Sequence, residues 1–279
     1  MWSDRTAVIN GIAISSLVHE ECARRMLTGT STEDWPDIGA RVASALGGHT
    51  PLPYFTMGAN ARVDGLEAQA GTSGYSNQLS SLVVPEMAWP AAGGGWQPAS
   101  GLRTSETEES AVQAYLAARA DQLQARAGTD GSSGVRMADY LESLDRAGQI
   151  RTSAQGNFLS DMQLFYSYDN NERAARALAD GFCQAVFITD GGYWDTHFGN
   201  AGQAGLFNDL FGSLSSLMGA LEDAGIADET MVLVVSEMGR SPLLNANSGK
   251  DHWPYTSALL VGPGVRPGVF GATDDTLRQ

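Results

Sequence analysis

Apolar and polar positions divide the chain into three stretches of different texture. In the first, residues 6–14 (TAVINGIAI) form a short β-branched run that reads as a buried strand, weakened at Gly11. His19 to Leu27 then read as a helix. Pro36 to Leu46 read as a second one. Pro36 suits its first turn, Ile38, Val42, Ala45 and Leu46 make an apolar stripe, and Gly47-Gly48 stop it. Residues 51–105 carry five prolines and the run Gly93-Gly94-Gly95, so only 53–57 and 81–84 read as strands there.

The middle stretch is helical in pattern. Thr107 to Ala127 read as an amphipathic helix with Val112, Tyr115, Leu116 and Leu123 inward. GTDGSSG at 128–134 reads as a polar turn, followed by shorter helices at Val135–Arg146, Phe158–Tyr166 and Glu172–Ala179. Residues 85–180 thus look like a variable helical and loop insertion, or a lid, on a core sheet.

The last hundred residues are the most regular. CQAVFIT (183–189), TMVLVVS (230–236) and SALLVGPG (257–264) are near-continuous apolar runs of strand length. Between the first two lies a strong helix at 203–224. Phe207, Leu210, Phe211, Leu214, Leu217, Met218 and Leu221 follow its spacing, and Gly225 ends it. The pattern predicts an α/β chain with a mostly parallel sheet and helices on both faces, in one domain spanning 1–279. Functional residues in such sheets gather on the loops beyond the strand ends.

Composition narrows the function. Lys plus Arg number 17 against 32 Asp plus Glu, a net charge of −15, which disfavours both nucleic acid and an anionic membrane surface as the main partner. No apolar stretch reaches the roughly 20 residues of a membrane helix. Hydrophobic residues make up 43% of the 279, enough to bury a core, so whole-chain disorder is disfavoured. Cys22 and Cys183 lack CxxC spacing and cannot form a disulfide framework. The N-terminus has no basic segment before a long apolar run, so it does not read as a signal peptide. It enters a strand almost at once, so the chain reads as an excerpt of a longer protein, incomplete at the N-terminus.

Three polar clusters sit at the ends of the regular strands. DGGYWDTHFGN follows 183–189 and carries Asp190, Asp195 and His197. EMGRS follows 230–236 and carries Glu237 and Arg240. GKDHWP, with Lys250, Asp251 and His252, precedes the strand at 257. Imidazole and carboxylate are both good ligands for zinc or manganese, so Asp195, His197 and His252 would hold a divalent metal and leave a position open. Such a site polarises an ester oxygen or generates hydroxide near neutral pH. Arg240 suits a doubly charged oxyanion. Each cluster also has a plain structural reading: a loop histidine in a local hydrogen bond, a Glu-Met-Gly turn, an arginine in an ordinary ion pair.

GGYWDTHFGNAGQ, VVSEMGRSPLLN, GKDHWP and VGPGVRPGVFGATDD, in that order over about residues 175–275, closely resemble the DUF1501 family. That family's pattern is roughly GWDTH, SEFGRTP, GRDHW and a Gly-rich turn with G-x-TD. Its members are similar to the alkaline phosphatase and sulfatase superfamily, mostly bacterial and often exported, which implies a periplasmic or secreted location. HEECARRMLTG (19–29) is similar to the sulfatase nucleophile segment, and the alignment puts His19 at the nucleophile position, with the usual Pro and Ser-Arg pair absent. The resemblance implies Asp195, His197 and His252 as first-metal ligands and Glu237 in the second site, where Met238 replaces the usual histidine. Arg240 and Lys250 would bind a small anionic ester. The resemblance thus implies a metal-dependent phosphate- or sulfate-ester hydrolase that works by direct water attack, or with His19 as nucleophile or base. Two alternatives stand beside it: a non-catalytic relative that binds a ligand or partner, and an acidic interaction module without metal.

Overall fold

The computed structural model describes residues 2–58, 61–73, 105–127, 131–152 and 170–274. The expected strand at 81–84 and the expected helix at 158–166 lie outside them. The rest forms an α/β structure with two main sheets. One has the order β5-β8-β1-β9, built from β1 (Thr6–Ala13), β5 (Val232–Val235), β8 (Tyr255–Val261) and β9 (Gly268–Phe270). The other has the order β3-β2-β4, built from β2 (Tyr54–Met57), β3 (Ala70–Ser73) and β4 (Ala185–Ile188). A ribbon of β6 (Gly239–Arg240) and β7 (His252–Trp253) projects beside them.

The expectation of a mostly parallel sheet holds for β3-β2-β4, where every pairing is parallel. It fails in the larger sheet. There β8 runs antiparallel to both β1 and β5, and only β9 lies parallel to β1. The connection explains this. Residues 236–254 return from β5 to β8 with a two-strand ribbon and no crossover helix, and such a link joins antiparallel neighbours. The strand-helix-strand run at 183–236 places its two strands in different sheets. The weak point at Gly11 is a bulge, with the β1–β8 register slipping between Ile9 and Ile12. Gly11 takes φ +72°, and a Cβ there would meet the Ala272 carbonyl oxygen at 2.8 Å.

The helices are α1 (His19–Thr28), α2 (Ile38–Leu46), α3 (Glu106–Ala127), α4 (Gly131–Thr152), α5 (Asn170–Ala179) and α6 (Gln203–Asp223). Helix α2 starts at Asp37, whose carboxylate accepts from the Ala40 amide at 2.8 Å, so Pro36 lies just outside. Its expected apolar stripe is largely exposed at Ile38, Val42 and Leu46; Ala40 and Ala43 face inward, where Tyr54 packs. In α3, Val112 and Tyr115 are exposed, while Ala120 is buried and Leu116 and Leu123 are half-buried. Of the expected turn at 128–134, residues 131–134 are instead the first turn of α4, and 128–130 lie outside the described residues.

Two apolar clusters hold the frame. Phe55, Met57, Leu52 and Phe182 gather with Ile150 of α4 and Ala174 and Ala177 of α5. Met218 and Leu221 of α6 pack with Val261 and Ala227, flanked by Val232 and Leu259. Leu178 and Leu217 touch both clusters and tie the two sheets together. A fully buried side chain such as Phe182 contributes about 1.5–3 kcal/mol. Helix α5, inside the region expected as an insertion, belongs to this core. Cys22 and Cys183 are both buried and free, and burial raises the pKa of each thiol. No helix of the described residues is long and apolar enough to cross a membrane.

Candidate metal centre

Four chain segments converge at one end of the larger sheet. The turn after β1 delivers His19 on the first turn of α1. The loop after β4 delivers Asp195 and His197, the turn after β5 delivers Glu237, and the ribbon pairs Arg240 with His252 across β6 and β7.

The loops are laced backbone to backbone. The Lys250 amide donates to the Thr196 carbonyl at 2.9 Å, and the Asn200 amide to the Ser248 carbonyl at 2.8 Å. Gln203, the first residue of α6, donates through Nε2 to the buried Thr196 hydroxyl at 2.8 Å. Gly249 lies directly on the 197–198 backbone. A Cβ there would stand 2.0 Å from the His197 carbonyl oxygen, so no side chain fits without parting the loops.

Asp195 is the hub. Its Oδ1 accepts from Arg240 Nη2 at 2.5 Å and lies 3.1 Å from Nε2 of both His197 and His252. Its Oδ2 lies 3.4 Å from His19 Nε2. The His197 and His252 Nε2 atoms are 3.0 Å apart, and the His19 and His252 rings meet edge-on with centroids 4.4 Å apart. Partial burial raises the Asp195 pKa, but the contacts around it, led by the hydrogen bond from the Arg240 guanidinium, outweigh it and bring it down to about 2.

The outer edges of the three imidazoles follow one rule. His19 Nδ1 lies 3.0 Å from Glu237 Oε1, His197 Nδ1 3.0 Å from Asp251 Oδ1, and His252 Nδ1 2.7 Å from the Leu17 carbonyl oxygen. All three partners are acceptors, so each Nδ1 has a group to donate to, and a ring protonated only there would turn its Nε2 lone pair inward. In that arrangement the inner space would be bounded by three imidazole lone pairs and a carboxylate. Only protons or a cation can hold such an array together. Metal-bound histidines show this outward donation to carboxylates and carbonyls. The carboxylates of Asp195, Glu237 and Asp251 outnumber the Arg240 guanidinium by two charges, which a divalent ion balances.

His19, Asp195 and His252 each offer a ligand atom within 4.8 Å of the others, a group that could hold a metal ion. The sequence places Asp195 and His252 here as ligands and His19 as a catalytic nucleophile or base. His197 adjoins the group through Asp195 Oδ1 and His252 Nε2. Glu237 stands behind His19 rather than beside Asp195. Arg240 is committed to Asp195 and donates more weakly to the Lys250 carbonyl at 3.4 Å. Lys250 contributes through its backbone; among the described residues its ammonium makes no ion pair. Met238, next to Glu237, is buried against Ile14 and Cys22. Asp190 accepts from the Trp194 indole, which packs edge-on against Phe207. Asn245 is a site residue that sequence reasoning missed. Its signal was its place at the end of the VVSEMGRSPLLN segment, where it opens a polar NANSG turn.

The molecule is thus an α/β protein with a convergent histidine and carboxylate centre. It belongs to the family described as "Protein of unknown function (DUF1501)", whose model matches residues 1–279. No curated protein and no solved structure matches the chain significantly.

Proposed function

We propose that this chain is a divalent-metal hydrolase of small phosphate or sulfate esters, with an alkaline phosphatase-like fold. Its metal would be held by His19, Asp195, His197 and His252. The observation that carries this reading is the convergence of three imidazole Nε2 atoms on one carboxylate, with every Nδ1 turned to an acceptor. Three imidazoles and one carboxylate suit zinc better than manganese, which prefers oxygen donors. When bound, such an ion polarises an ester oxygen and brings the pKa of a water molecule toward neutrality.

The residues divide the work. Glu237 and Asp251 hold His19 and His197 in the tautomer that points inward. Arg240 keeps Asp195 ionised and oriented. His19, used through Nε2 as a ligand, is not free to attack the ester, so the nucleophile in this reading is water. Met238 in the apolar cluster leaves no donor for a second metal at that position.

A second reading is a non-catalytic relative that keeps the metal and binds an anionic ligand. Among the described residues no serine, threonine or cysteine side chain contacts the Asp195 carboxylate, which favours it. Elemental analysis of the purified chain beside a His197→Ala/His252→Ala variant tests the centre. About one equivalent of metal, lost in the variant, supports it. Hydrolysis of aryl phosphate or aryl sulfate that disappears with the metal supports the hydrolase; metal without hydrolysis supports the second reading. A folded wild-type chain that takes up no divalent metal overturns both.

A further inference from the structure

We infer that Asn245 is a positioning residue for the metal centre, acting on His197 through Asp251; this rests on the metal-site reading above. Asn245 stands on the loop between β6 and β7 and uses every hydrogen-bonding valence of its amide. Its Oδ1 accepts from the Asn247 amide at 2.9 Å and the Gly249 amide at 3.0 Å, which closes the loop on itself. Its Nδ2 donates to the His197 carbonyl at 3.1 Å and to Asp251 Oδ1 at 2.9 Å. Two backbone donors on one side and two acceptors on the other fix the amide orientation.

Asp251 Oδ1 is the same oxygen that faces His197 Nδ1 at 3.0 Å. Asp251 is otherwise exposed and would turn freely in solvent. The Asn245 donor therefore picks its rotamer, and that rotamer fixes both the tautomer and the ring plane of His197. Asn245 touches none of the inward-facing atoms and acts only through its neighbours. Its two edges also separate two roles: the oxygen shapes the loop, and the NH2 group positions the carboxylate.

Asn245→Asp exploits that separation. The substitution keeps acceptors for the Asn247 and Gly249 amides, removes the donor and sets a like charge against Asp251. Zinc affinity is measured by competition with a chromophoric chelator. The visible spectrum of the cobalt(II)-substituted protein gives a second readout, and circular dichroism checks the fold. Asn245→Asp and Asp251→Asn are each expected to weaken zinc by 10- to 100-fold and to shift the cobalt bands alike. Asn245→Ala is expected to weaken zinc in the wild-type background and to add little in Asp251→Asn. The inference is overturned if Asn245→Asp binds zinc as wild type does while Asp195→Ala has lost it. It is also overturned if Asn245→Ala costs the same in both backgrounds, which marks a loop effect that bypasses Asp251. Failure of the wild-type chain to bind zinc or cobalt overturns the metal centre itself, and this inference with it.

Discussion

Two aspartates of this chain teach opposite lessons. Asp37 is buried, with 1% of its surface exposed, and its carboxylate is fully served. It accepts from the Ala40 amide, the Arg62 amide and the Tyr54 hydroxyl, all within 2.9 Å. Asp195 is about a third exposed and has one charged donor, Arg240, with three imidazole nitrogens facing its two oxygens. The first carboxylate closes a network and caps a helix. The second gathers three imidazoles whose outer nitrogens also face acceptors. Burial and hydrogen-bond number alone would rank Asp37 as the more important residue. Counting donors against acceptors identifies Asp195 as the one that needs something from outside.

Exchanging the two losses is the strongest way to break that contrast. Asp195→Ala is expected to weaken metal binding by at least about 100-fold while moving the apoprotein's urea midpoint little. Asp37→Ala is expected to do the reverse. It removes a helix cap and strands the Tyr54 hydroxyl, so about 2–3 kcal/mol of stability is lost in urea melts with the metal stoichiometry intact. Equal metal loss in the two variants would erase the distinction. Tyr54→Phe sharpens it at smaller scale. Burial, reinforced by the Asp37 charge and hydrogen bond, holds the Tyr54 pKa well above its ordinary value. Deleting that hydroxyl is expected to cost about 1 kcal/mol in the same melts.

The smallest effect is acid sensitivity. The Asp195 pKa falls from 3.8 to about 2 in the folded chain. A depressed carboxyl stabilises the fold above the unfolded value and loses that contribution as pH falls through the folded one. In chelator-treated protein, Asp195→Asn should therefore match wild type in acid and fall behind it above pH 4. Solvent screening keeps the gap under about 1 kcal/mol. A gap that widens below pH 2 would reverse the sign.

Much of the fold was legible because burial writes itself as periodicity. Strand β1, helix α6 and the apolar runs of β4, β5 and β8 follow directly from the spacing of their aliphatic and aromatic residues. Strand direction was not legible, since an apolar run reads the same either way and only the helix-free return at 236–254 decides it. Strands β3 (AGTS) and β9 (GVF) carry too few apolar residues to announce themselves. In the site, Asp195, His197 and His252 stood out by residue type and by place. The use of His19 did not, because an imidazole looks the same in sequence whether it attacks, binds or buttresses. Its partner Glu237 is 218 residues away. Asn245 hid for a related reason: its turn-forming oxygen explains its presence so well that its donor edge goes unasked for.

Gly249 carries the last consequence. It has no side chain to ligate, donate or accept, yet its bare Cα is where the loop bearing Asp251 and His252 rests on the backbone of His197. In a saturation library scored for metal loading, position 249 should be as intolerant as a ligand, with even alanine rejected. A survey that ranks positions by the chemistry they can perform would pass over it. Part of the recipe for such a centre is thus written in places where an atom must be missing.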